Sequence, residues 1–227
     1  MSGPPKRRLA LAGLLRCCEP PAPRAVLRFV EGVGAEQAWP AIAGRLAPGE
    51  VMAAVAPRLG SLDRDSLDAR AADDLHRAAV VGAGVVGPGD PDWPEECLAG
   101  LEQVAAFDKC SDRAPPLALY RRGGSWPLQP RGSVAVVGSR SATPYGVRVA
   151  TELAAGLVAD GFIVVSGAAF GVDAAAHRGA LHTTSAASVG GDTGGVTVAV
   201  LACGIDRFYP VAHRALLDAT AACGAVV

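Results

Sequence analysis

Two short segments of this chain carry residue types suited to holding an anion. Gly138-Ser139-Arg140 follows the apolar run Val134–Val137, and Ser166-Gly167 through Gly171 follows Phe162–Val165. Each is a strand end that opens into a small polar loop rich in backbone donors. In a parallel sheet such loops lie side by side at the carboxyl edge, where ligands bind. Exposed N–H groups and helix N-termini there favour negative charge. Arg140 adds a permanent cation whose fork matches phosphate, and Ser139, Ser141 and Thr143 crowd the same strand end. The pairing of the two loops predicts an anion site. Taken singly, the glycines would be turn formers and Arg140 a surface charge.

The elements that must position these loops can be read from punctuation and periodicity. Thr143-Pro144 is an N-cap and first-turn proline, and Tyr145–Asp160 is a helix ended by Gly161. Asp173 is placed to cap a helix over Ala174–Leu181. Val196–Leu201 is a third buried strand. Pro210 opens a helix to about Cys223, and Ala225–Val227 begins another strand. Apolar strands alternating with helices imply a parallel, doubly wound sheet. The stretch between Leu181 and Val196 lacks periodicity and reads as a mobile loop. Residues 9–75 instead read as short helices separated by Pro20, Pro21, Pro23, Gly32, Gly34, Pro48 and Gly49. The predicted architecture is a helical domain over 1–77 followed by an α/β domain over 78–227.

Composition narrows the function. A net charge of −1 excludes a globally basic nucleic-acid binder while leaving room for a local basic patch. Nineteen arginines against two lysines reflect genome composition more than phosphate binding. The basic N-terminal stretch, with Lys6, Arg7 and Arg8, reads equally as a phosphate contact or a solvated tail. No apolar run is long enough to span a bilayer, and the N-terminus lacks a clean signal-peptide pattern. The six cysteines form no C-x-x-C pair, and Cys203 and Cys223 sit in apolar contexts typical of buried thiols. A reducing cytoplasm and no metal site follow from that pattern.

Other chemistries fit less well. Gly82-Ala83-Gly84-Val85-Val86-Gly87 matches a dinucleotide fingerprint literally, but Pro88-Gly89-Asp90-Pro91 follows it where a helix is required. No phosphate-binding loop with its lysine occurs. Asp173 and His177 stand one helical turn apart, as a carboxylate orienting an imidazole would. Ser166 is the only nearby nucleophile and no G-x-S-x-G elbow surrounds it, so a structural pair is the better reading.

Three ordered segments, VAVVGSRSATPYG, VVSGAAFGVDAAAHRGAL and VAVLACGIDRFYP, resemble the Rossmann-like core of the DprA/Smf family, the DNA-processing proteins of natural transformation. GDPDWPEECL and APPLALYRRG resemble its lead-in segments, and residues 9–75 resemble, more weakly, its helical SAM-like or helix-hairpin-helix domain. The resemblance implies a non-enzymatic protein without cofactor that binds single-stranded DNA, self-associates as a homodimer in its full-length form, and loads RecA recombinase. By motif position the DNA would meet Gly138, Ser139, Arg140, Ser141, Thr143 and Gly146 in the first loop. The second loop would supply Ser166, Gly167, Phe170 and Gly171. Phe170 stands where many members carry Lys or Arg, which removes a phosphate contact and offers a ring for base stacking. The Thr183–Gly195 segment is longer than the family's usual link, and the family core continues past the position of Val227, which implies a truncated form. The rival reading, a phosphoribohydrolase-like nucleotide enzyme, needs a P-G-G-x-G-T-x-x-E loop that this sequence lacks.

Overall fold

The computed structural model describes residues 5–18, 22–108, 114–124, 132–187 and 196–227, without the side chains of 102–108 and 184–187. It separates into two compact units. One comprises Met1–Val80 with Gly84–Tyr120, the other Val81–Ala83 with Arg121–Val227. No described helix is long and apolar enough to cross a membrane.

The first unit holds five consecutive helices: α1 (Lys6–Cys17), α2 (Arg24–Val33), α3 (Ala35–Ala43), α4 (Gly49–Leu59) and α5 (Arg64–Val80). Their apolar faces meet in a core that includes Leu14, Val26, Trp39, Ile42, Val55 and Leu59. A Cβ at Gly13 would overlap the Trp39 indole, so the missing side chain lets α1 and α3 approach closely. The indole N–H donates to Asp68 Oδ1 at 2.6 Å, which satisfies the one polar atom this ring brings inside. Strand β1 (Ala83–Val86), helix α6 (Glu95–Asp108) and strand β2 (Leu119–Arg122) follow.

Residues 84–120 thus group with the helices, whereas the sequence boundary near residue 77 placed them with the α/β domain. The cause is long-range packing: Leu11 of α1 clusters with Val85 and Ala118. The glycines of the dinucleotide-like fingerprint lie in and around β1 and open no phosphate-binding turn. The basic N-terminal stretch is committed internally. Arg7 and Arg8 both pair with Asp90, at 2.6 and 2.9 Å, and Arg16 pairs with Asp74 at 2.9 Å.

The second unit is the α/β domain. Strands β3 (Ser133–Ala135), β4 (Ile163–Ser166), β5 (Thr197–Ala199) and β6 (Gly224–Val226) are parallel and adjacent in chain order. Arg122 pairs antiparallel with Val226 on the far side of β6. Helices α7 (Pro144–Ala159), α8 (Val172–Ala187) and α9 (Arg214–Ala222) make the crossovers. Right-handed crossovers stepping in one direction put their helices on one face of the sheet. Val136 and Val164 accordingly pack with Ala154 of α7 and with Ala176 and Ala180 of α8. Small residues bring these two helices close: a Cβ at Gly179 would strike the Thr151 carbonyl.

Predicted element order is therefore observed, with adjusted ends, but α7 and α8 cover the same face of the sheet, whereas a doubly wound sheet would carry helices on both. Helix α8 begins at Val172 and runs on to Ala187 rather than ending at Leu181, because an established helix propagates easily through small residues. The remainder of the expected loop, 188–195, lies outside the described residues. Cys203 and Cys223 are half-buried free thiols, less enclosed than expected.

Candidate nucleic-acid interface

Adjacent parallel strands β3 and β4 deliver the two glycine loops to the same sheet edge. The loops touch. Gly171 has φ of 77°, and a Cβ there would collide with the carbonyl oxygens of Ser139 and Arg140. Only glycine combines that backbone conformation with that approach. The N–H of Val172, first in α8, donates to the Ser139 carbonyl at 3.1 Å. A Cβ at Gly138 would lie 2.9 Å from the Val172 side chain. Loop one is thus seated directly on the start of α8.

The first loop is open. Gly138, Ser139, Arg140, Ser141 and Thr143 are all exposed. The backbone N–H groups of Gly138, Ser139 and Arg140 donate to nothing among the described residues. Arg140 likewise has no ion pair there. Ser139 Oγ accepts the Ser141 N–H at 3.1 Å, which folds the loop into a tight turn. Thr143 caps α7 by accepting the Gly146 N–H at 3.2 Å, with Pro144 at the first helical position as expected. Gly146 is consequently a capping partner one turn into the helix.

The second loop is built differently. Ser166 is buried, and its hydroxyl donates to the Val136 carbonyl at 2.7 Å, tying β4 to the end of β3. It offers no free hydroxyl to a ligand. Asp173 lies within the first turn of α8 rather than at its cap. Its Oδ2 reaches back to accept the Ala169 N–H at 3.4 Å, and Gly167 leaves room for that carboxylate. Ala168 has φ of 54°, and its carbonyl accepts from Nδ1 of the buried His213 at 2.9 Å. Phe170 is half exposed, its ring edge-on to His213 with centroids 4.8 Å apart. His213 and Ala168 escape a sequence reading, since they stand 45 positions apart and carry no motif.

His177 is fully buried on α8. Its Nδ1 is 2.7 Å from Thr197 Oγ1, and that hydroxyl donates to the Val164 carbonyl at 2.8 Å. The hydroxyl has one proton, so His177 Nδ1 is the donor and Nε2 is left without a partner. Burial pushes the imidazole pKa down to about 4, opposed by the Asp173 charge and the Ser166 backbone. Neutral His177 links α8 to β4 and β5 through Thr197, which agrees with the structural reading of the Asp173–His177 pair.

Comparison with known proteins places this geometry. Residues 84–227 match the family model of DNA recombination-mediator protein A. The chain is similar to a DNA processing protein DprA of Mycobacterium tuberculosis, with 40% identity over 210 residues, 92% of this chain and 49% of the relative. It is also similar to protein Smf of a Synechocystis species, with 33% identity over 143 residues, 62% of this chain and 30% of the relative. It thus spans about half the length, or less, of these curated relatives. The X-ray structure of DNA processing protein A from Streptococcus pneumoniae superposes with a TM-score of 0.53 at 21% identity, covering 99% of this chain and 67% of that one. That likeness concerns the fold, which is Rossmann-like as the sequence motifs implied. Two glycine loops joined at one sheet edge and a family match over most of the chain lead to one conclusion: this chain belongs to the DNA recombination-mediator protein A family.

Proposed function

We propose that this chain binds single-stranded DNA along the carboxyl edge of its parallel sheet, holding the sugar–phosphate backbone with little regard to base identity. One observation carries this reading. Gly138, Ser139 and Arg140 present unused backbone donors and an unpaired guanidinium on one exposed loop, braced from beneath by the second loop. Undirected N–H groups beside a cation suit phosphate oxygens. They suit a base edge poorly, because base readout needs a fixed donor and acceptor pattern. Half-exposed Phe170 offers a ring on which any base can stack. The chain acts by binding rather than catalysis: Ser166, the serine weighed as a nucleophile for the Asp173–His177 pair, is buried and hydrogen-bonded to Val136. The family relationship extends the reading to delivery of the bound strand to a RecA-type recombinase during transformation, and to self-association.

Fluorescence anisotropy with single-stranded oligonucleotides of different base composition, each titrated with salt, tests the binding claim. Similar affinities that fall together as salt rises are expected. Affinity confined to one base composition, or insensitive to salt, would refute backbone capture. Nucleotide hydrolysis by the same preparation would refute the non-enzymatic reading.

A further inference from the structure

The helical unit carries a cavity of about 400 Å³, and no residue of the two glycine loops lines it. That volume is in the range of ligand pockets. Two helices wall it. Leu27, Val30 and Glu31 recur at three- and four-residue spacing on α2, and Glu95, Leu98 and Ala99 do so on α6, so each set shares one helix face. Buried Trp93 and Leu117 add to the lining. Such a surface holds water poorly and an apolar group well. Its polar groups divide into committed and free. Arg7 donates to Asp90 and to the Pro88 carbonyl. Glu31 and Glu95 are exposed, and neither has an ion pair among the described residues. Trp93 is only 9% exposed, yet its indole N–H donates to no acceptor among those residues. A buried tryptophan N–H ordinarily finds a partner.

We propose that this cavity docks a segment of a partner protein that presents a bulky apolar side chain flanked by lysine or arginine. The apolar anchor fills the space between α2 and α6. A neighbouring cation meets Glu31 or Glu95, and a backbone carbonyl of the segment accepts from Trp93. A peptide supplies all three groups at once. A simple apolar amine brings the body and the charge but no acceptor for the indole. A phosphate chain would meet two carboxylates of its own sign and is repelled. The site is therefore separate in chemistry from the proposed DNA-binding edge and does not rest on that reading.

Heteronuclear NMR of the whole chain with capped tetrapeptides tests the proposal. Each peptide carries a central leucine-phenylalanine pair, flanked by lysines, by serines or by glutamates. The lysine-flanked peptide should bind saturably and shift the Trp93 indole proton, a resonance identified by its loss in Trp93→Phe. The serine-flanked peptide should bind roughly fivefold more weakly and the glutamate-flanked one more weakly still, a difference that shrinks at high salt. Glu31→Gln combined with Glu95→Gln should erase the preference for lysine. Ala99→Trp, made at an exposed helix position, should fill the cavity and weaken binding at least roughly tenfold, because its ring takes the anchor's place. Should Ala99→Trp disturb folding, the double glutamine variant decides, since both its positions are exposed. An unmoved Trp93 resonance with every peptide would overturn the proposal. So would equal affinity for the three peptides, the mark of a site for neutral apolar ligands, or a lysine preference that survives the double variant.

Discussion

The two glycine loops begin alike, each a short strand end running into serine, glycine and alanine, yet the chain uses them in opposite ways. The loop after β3 leaves its donors and Arg140 facing outward. The loop after β4 turns its side-chain polar groups on the protein itself, Ser166 on Val136 and Asp173 on Ala169, and its Ala168 carbonyl on His213, while the N–H groups of Gly167, Phe170 and Gly171 keep no acceptor among the described residues. On the proposed reading the first loop is the contact surface and the second, through its side chains, the support. The lesson is that a polar, glycine-rich strand end is not by itself a binding loop; what matters is whether its hydrogen-bonding groups are already occupied.

Separating the loops should have the largest effect. Gly171→Ala forces a left-handed backbone and a collision with the Ser139 and Arg140 carbonyls. We expect roughly 2–4 kcal/mol of destabilisation, read by urea unfolding of the α/β unit, together with weaker DNA binding. Unchanged stability would mean that the loops are not braced against each other.

The support also has a pH signature. His177 titrates near pH 4 in the folded state against an ordinary value of 6.5. The unfolded chain therefore binds more protons between those values, so stability is complete above pH 6.5 and declines as pH falls towards 4. The loss amounts to about 3 kcal/mol. Chemical denaturation from pH 7 to 4 should show this slope in the wild type and a shallower one in His177→Gln, which cannot titrate. Parallel slopes would put His177 outside the support.

Much of this division was legible in the sequence, and some was not. Thr143-Pro144, Gly161 and the alternating apolar runs fixed the order of β3, α7, β4 and α8, because caps and strand patterns are local. The open loop was legible for the same reason. The self-contained character of the second loop was not, since Ser166 meets Val136 thirty positions away and His213 meets Ala168 across β5. Nothing in SGAAFGVD tells whether its serine faces solvent or a neighbouring strand. The unit boundary was hidden likewise, in the contact of Leu11 with Val85 and Ala118.

Phe170→Arg sharpens the comparison at its margin and should have the smallest effect. The side chain is half exposed, so the new charge would stand in solvent near the first loop rather than in the core. Loss of the edge contact with His213 costs about 1 kcal/mol of stability. Affinity for single-stranded DNA should rise by no more than roughly fivefold. A drop in affinity would mean that the stacking lost with the ring outweighs the charge gained.

The central claim is that the open loop takes the phosphate backbone, and Arg140→Ala tests it most directly. Arg140 is exposed and unpaired among the described residues, so its truncation should leave the melting temperature unchanged. Log affinity for a single-stranded oligonucleotide, plotted against log salt for wild type and variant, should show a loss of roughly fivefold and a slope shallower by about 0.7. Identical slopes and affinities would contradict the account, because the one cation of the open loop would then lie away from the DNA.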